Sequence, residues 1–171
     1  MRRFAMLVAV LLPGNALAQH HHQPAPSYAG QETRAIKALS AQQVADLQAG
    51  RGMGLALPAE LNGYPGPMHV LELAEPLALT TGQRERTAAL IAAMKSEAVA
   101  LGERVIAAEA DLDRLFADRR ATPGEVAEAT QRIGLAQAAL RASHLRYHLE
   151  MATLLDEQQR ERYAVLRGYR R

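Results

Sequence analysis

A chain of 171 residues with 49% apolar content is long enough for one domain with a sizeable core. Only 4% of it is aromatic, with no Trp, two Phe and five Tyr, so the core must be built from Ala, Leu, Val, Ile and Met. That palette suits helices that approach closely and argues against a β-sandwich or barrel. The lack of Cys excludes disulfides, thiolate metal sites, a Cys nucleophile and lipid attachment through Cys.

Composition therefore predicts an all-α protein. At the N-terminus, Arg2 and Arg3 precede the apolar run Phe4–Leu12, followed by Pro13-Gly14 and Ala16-Leu17-Ala18. A charged start, a short apolar stretch and an A-x-A cleavage signal are the three parts of a secretory signal peptide, expected at residues 1–18. The run is too short to span a bilayer, and no later stretch approaches the ~20 apolar residues a span requires. Export to the periplasm is the expectation, with no membrane span after cleavage.

Removing residues 1–18 takes away two of the 20 Lys and Arg and none of the 18 Asp and Glu, leaving 18 against 18. The formal charge of +2 is thus no sign of nucleic-acid binding. What asymmetry remains lies at the C-terminus, where Arg160, Arg162, Arg167, Arg170 and Arg171 outnumber Glu161. Such a run reads as a solvated tail or as a surface for an anionic partner.

Residues 19–34 are rich in His, Gln and Pro without apolar periodicity, the pattern of a disordered arm. A helical domain is expected over 35–171. A short helix starts at Ser40 and runs to about Gln48. Gly50-Arg51-Gly52-Met53-Gly54 opens a long loop through Pro58, Asn62-Gly63 and Pro65-Gly66-Pro67. No Lys-Ser/Thr pair follows those glycines, so they fit no phosphate-binding fingerprint. A brief helical stretch around His69–Glu75 ends at Pro76.

From Thr80 to about Arg119, Thr87, Ile91, Met94, Ala98, Leu101, Val105, Ala108, Leu112 and Leu115 alternate spacings of four and three. This is an a/d seam sustained over several heptads. Thr122-Pro123-Gly124-Glu125 then restarts a helix, with Thr122 as cap and Pro123 at its first position. Its apolar side carries Val126, Ala129, Ile133, Ala136, Leu140, Tyr147, Met151 and Leu154. A last helix begins at Asp156. A 40-residue helix is ~60 Å long, against a radius of gyration of ~15 Å for a compact chain of this size. The two long helices therefore form an extended antiparallel hairpin with one apolar face uncovered, to be occupied by a client or by a second copy in a homodimer.

Three helix starts share one pattern: Leu39-Ser40-Ala41-Gln42-Gln43, Leu79-Thr80-Thr81-Gly82-Gln83 and Leu155-Asp156-Glu157-Gln158-Gln159. Each is a capping box: the cap oxygen accepts from the amide three residues on, and the Gln side chain reaches back to the cap's own amide. Two such boxes flanking a long hairpin, behind a signal peptide, resemble the bacterial periplasmic Spy/CpxP family, marked by a repeated L-T-x-x-Q. The sequence is also similar to the metal-resistance proteins typified by CnrX and ZraP. Leu79, Thr80 and Gln83 match the motif fully; Leu155, Asp156 and Gln159 keep it with Asp in place of Thr. The resemblance covers roughly residues 36–168. It implies a four-helix, hook-shaped chain in a cradle-like antiparallel homodimer, acting as an ATP-independent chaperone, a regulator of envelope stress signalling or a metal-binding sensor.

Candidate metal ligands fall in two places. If cleavage follows Ala18, the mature chain starts Gln19-His20-His21, and a free amine with His in third place can wrap Cu(II) or Ni(II) in a square plane, with His22 adding an imidazole. His144 and His148 are spaced i, i+4 with Met151 three residues further on, so two imidazoles and a thioether share one helical face and could meet Cu, Ni or Zn. The same residues also read as a buried stripe with His at its wet edge. Met68 and His69 are the nearby supplements. No H-E-x-x-H, no G-x-S-x-G and no convergent acidic pair is present, so an enzyme is not expected.

These features predict a periplasmic stress chaperone that holds unfolded or misfolded envelope proteins without ATP and requires no cofactor. Its alternative is a heavy-metal sensor or resistance protein. A regulator docked on a sensor kinase through the Arg-rich surface is a third reading.

Overall fold

The computed structural model describes residues 28–170. The signal-peptide segment and His20–His22 lie outside the described residues. Those described form a 3₁₀ turn at Gln31–Thr33 and six α-helices: α1 (Ala41–Gln48), α2 (Leu57–Glu60), α3 (Pro67–Glu72), α4 (Thr81–Ala117), α5 (Pro123–Leu154) and α6 (Glu157–Leu166). Among them there is no strand, and none of the helices is long and apolar enough to cross a membrane.

Four of the six helix starts are fixed by reciprocal side-chain caps. Ser40, Thr80, Thr122 and Asp156 each accept from the amide three residues on, and Gln43, Gln83, Glu125 and Gln159 return a bond to the cap amide. Each cap satisfies two amides that a helix otherwise leaves unpaired. Helix α4 ends where Arg119 adopts a left-handed φ of 56°, and the Arg120 amide closes back on the Leu115 carbonyl at 3.0 Å. The chain then reverses into α5.

Helices α4 and α5 make the expected long hairpin. The middle of α4 is covered by α1, which runs antiparallel to it. The Lys37 ammonium pairs with Asp113 at 3.2 Å, Leu47 packs with Ala98, Val105 and Leu140, and Gly50 sits against Lys95. Gly102 permits this crossing: a Cβ there would stand 2.5 Å from the Leu47 carbonyl oxygen. At the open end of the hairpin a second cluster joins Val70, Ala74, Leu77, Leu79, Met151, Leu155 and Tyr163. Each large side chain so buried stabilises the fold by about 1.5–3 kcal/mol.

The segment read as one long loop, 50–67, contains the single-turn helix α2, and the brief helix beyond it starts at Pro67 rather than near His69. Pro58 and Pro67 both sit in first turns, where a missing N–H costs nothing. Among the described residues six helices therefore stand where the resemblance implied four.

Candidate functional site

The loop from Ala49 to Pro67, α3 and the facing sides of α4 and α5 enclose a groove of about 690 Å³. Its wall on α5 is His144 and His148, one helical turn apart. Its wall on α4 is Ile91, Met94 and Lys95, while Met53, Met68 and His69 come from the loop and α3.

His148 is held in one orientation. Its Nδ1 lies 2.8 Å from the Tyr64 carbonyl oxygen, which only accepts, so Nδ1 carries a hydrogen. Its Nε2 faces Gly66, where a Cβ would come within 3.1 Å of it. The turn 63–67 therefore needs glycine at Gly66 to lie flat on the ring.

Beneath the groove is a carboxylate that no periodicity announces. Glu60 is only 7% exposed, yet it sits in the aperiodic Gly/Pro segment. Its Oε1 accepts from the Tyr163 hydroxyl and from the Tyr169 hydroxyl at 3.1 Å. Its Oε2 accepts from the Gly66 amide at 2.9 Å. The Arg167 guanidinium stands 3.8 Å away and the His148 ring 3.7 Å away. Burial, and then the bond to Glu60, push the Tyr163 hydroxyl far above its ordinary pKa, so it stays a donor at every physiological pH. One carboxylate thus ties α6 and the C-terminal tail to the groove floor.

His144 is the opposite case. It is 3% exposed, and its Nε2, with the neighbouring Ser143 Oγ, is a buried side-chain polar atom lacking a hydrogen-bond partner. Burial, helped by His148, lowers its pKa, while Glu97 opposes the shift weakly. The ring is therefore neutral at pH 7 and offers a lone pair.

The predicted His144/His148/Met151 set is only partly assembled. Met151 lies in the core rather than in the groove, fully buried, with its sulfur 3.7 Å from the Thr87 hydroxyl. The face expected to carry all three is the buried face of α5, and the thioether is the member that points deepest. Among the described residues no three His, Cys, Asp or Glu side chains come together as a metal-ligand set. Of the groove residues, sequence reasoning read Met94 only as a seam position and Met53 only as part of the loop, and did not single out Glu60. The Gly-Met-Gly spacing was the one available signal. Met53 adopts a left-handed φ of 44°, a conformation that costs a non-glycine residue on the order of 1–3 kcal/mol.

The two capping motifs also converge. Gln83 and Gln159 bond each other, and Gln83 reaches the Leu154 carbonyl while Gln159 reaches that of Leu77. The role of Leu79, Thr80, Gln83, Leu155, Asp156 and Gln159 is to lock the starts of α4 and α6 together. No protein-family model, no curated protein and no solved structure matches the chain.

A second surface lies opposite the core face of α5. Leu135, Ala138, Ala142, Leu145 and Leu149 repeat at spacings of three and four. At 100° per residue they lie on the outward side, with Leu149 diametrically opposed to the buried Leu140. Leu135 is 65% and Leu149 53% exposed; Ala138 and Ala142 are exposed and Leu145 half-buried. The helix is thus apolar on two sides, and the described residues cover only one.

Proposed function

We propose that the chain is a periplasmic holding chaperone that binds non-native envelope proteins without ATP on the outer face of its helical hairpin. The observation that carries this reading is the uncovered heptad stripe Leu135–Leu149 on α5. A helix exposing an a/d seam binds apolar segments, and a seam with two alanines among its five residues is shallow enough to bind many of them weakly. Arg132, Arg141 and Arg146 punctuate the same helix, and their aliphatic stems extend the apolar surface while their charges keep the protein soluble. The signal-peptide pattern and the paired capping motifs support placing it in the periplasm beside the Spy/CpxP proteins.

A second copy of the chain is the competing occupant of the stripe, and one experiment separates the two. The full chain is added to an unfolding, aggregating client without ATP, and its mass is followed by sedimentation. The chaperone reading expects suppressed aggregation that Leu135→Glu/Leu149→Glu abolishes while the sedimentation coefficient stays the same. Loss of a dimer with unchanged aggregation suppression would assign the stripe to self-association instead and overturn this reading.

A further inference from the structure

We infer that the groove between the glycine loop and the hairpin is a binding site for a soft monovalent metal ion, Cu(I), held by the thioethers of Met53 and Met94 and the imidazole of His144. Three of the chain's six methionines line this one groove, Met53, Met68 and Met94. They arrive from three separate elements, so helical periodicity does not explain their meeting.

Two further observations point to a ligand. The first is His144: its ring lines the groove, and its buried Nε2 has no hydrogen-bond partner, a rare state that a bound ion or water would account for. The second is the backbone at Met53. The flanking Gly52 and Gly54 would suit a left-handed turn far better, yet the strained position carries a methionine that is 42% exposed and lines the groove. The loop bearing it is anchored by the Arg51–Asp46 ion pair and by Gly50 packing on α4, so the side chain is presented by a fixed turn.

The donors select the metal. Glu60 is the one carboxylate lining the groove, and both of its oxygens are engaged by Tyr163, Tyr169 and Gly66. Hard and borderline cations such as Ni(II) or Zn(II) find no free anionic ligand there and no cluster of three nitrogen or carboxylate donors among the described residues. Neutral thioethers with one or two neutral imidazoles are the donor set that Cu(I) prefers. The ion needs no redox step to bind; it enters as Cu(I).

The test uses the full chain with His20→Ala, His21→Ala and His22→Ala, so that the N-terminal histidines contribute nothing. Under anaerobic conditions it competes for Cu(I) with a coloured chelator, and colour loss reports transfer. The expected result is one Cu(I) per chain, reduced at least tenfold in affinity by Met94→Leu or His144→Gln, with a copper K-edge spectrum showing sulfur and nitrogen neighbours. Met53→Gly is the decisive variant, because it relieves the strained turn; it is expected to melt no lower than the parent and yet lose copper. Absence of transfer, retention undiminished by the methionine substitutions, or a shell of nitrogen and oxygen alone would each overturn the proposal.

Discussion

Gln83 and Gln159 hold each other by a reciprocal pair of amide hydrogen bonds, Nε2 to Oε1 in both directions, at 2.8 and 3.1 Å. Each Oε1 also accepts from its own cap amide, at 3.0 Å from Thr80 and 3.1 Å from Asp156. Each Nε2 donates to a backbone carbonyl of the other motif's neighbourhood, Leu154 at 3.0 Å and Leu77 at 3.3 Å. Every donor and acceptor of both side chains is used. Two local capping motifs, 76 residues apart in the chain, thereby become one tertiary lock.

The lock predicts strong non-additivity. Gln83→Ala or Gln159→Ala removes a cap and leaves the partner amide short of bonds, costing about 1–3 kcal/mol each. The double variant should cost less than the sum by at least about 0.5 kcal/mol, since the second loss removes a group already orphaned. Urea unfolding of the four proteins measures this; additive losses would show that the two caps act separately.

Glu60 predicts a second, directional effect. Tyr163→Phe removes a buried charge-assisted bond and should cost about 1.5–3 kcal/mol, whereas Tyr169→Phe, at the more exposed end of the network, should cost about 1 kcal/mol or less. Amide exchange of α6 should accelerate in the first variant before that of α4 does. Equal effects at the two tyrosines would mean that the carboxylate does not anchor α6 through Tyr163.

The parts of this architecture that sequence made legible are those governed by local rules. The starts of α1, α4, α5 and α6 follow from Ser40, Thr80, Thr122 and Asp156, because a cap is decided within four residues. The seam of α4 was legible because its period is sustained, and Thr87, Ala98 and Val105 on it are indeed buried. Glu60 was not legible: a carboxylate in a glycine- and proline-rich segment looks solvated, and its burial depends on Tyr163 and Tyr169, about a hundred residues away. The outer stripe of α5 was hidden by its alanines, which count equally toward either face. Met151 was placed on the right face, but its depth is set by Thr87 on the other helix.

His144 makes stability depend on pH in a stated direction. Its folded pKa lies below the ordinary histidine value because burial, and then His148, disfavour the charged ring. The unfolded chain therefore binds more protons in the window just below pH 6.5, and stability must fall as the pH drops through it. His144→Gln removes that contribution and should flatten the decline between pH 7.5 and 5.5 in denaturant unfolding. His148 and Glu97 are its ionisable neighbours, and they remain in the variant. An unchanged slope would show that the ring charges without cost in the folded state.

Two glycines in the long helices should respond in opposite ways to the same substitution. Gly102 is buried on α4 under the Leu47 carbonyl, and a Cβ would meet that backbone oxygen at 2.5 Å. Backbone cannot yield as a side-chain tip can, so Gly102→Ala must push α1 off the hairpin, costing about 1–3 kcal/mol as over-packing does. Gly134 lies on α5 with nothing within 4 Å of an added Cβ, and alanine there gains about 0.5–1 kcal/mol of helix stability. Thermal melts of the two variants should therefore move to either side of the parent. If Gly102→Ala melted with or above it, α1 would not be packed on α4 at that crossing.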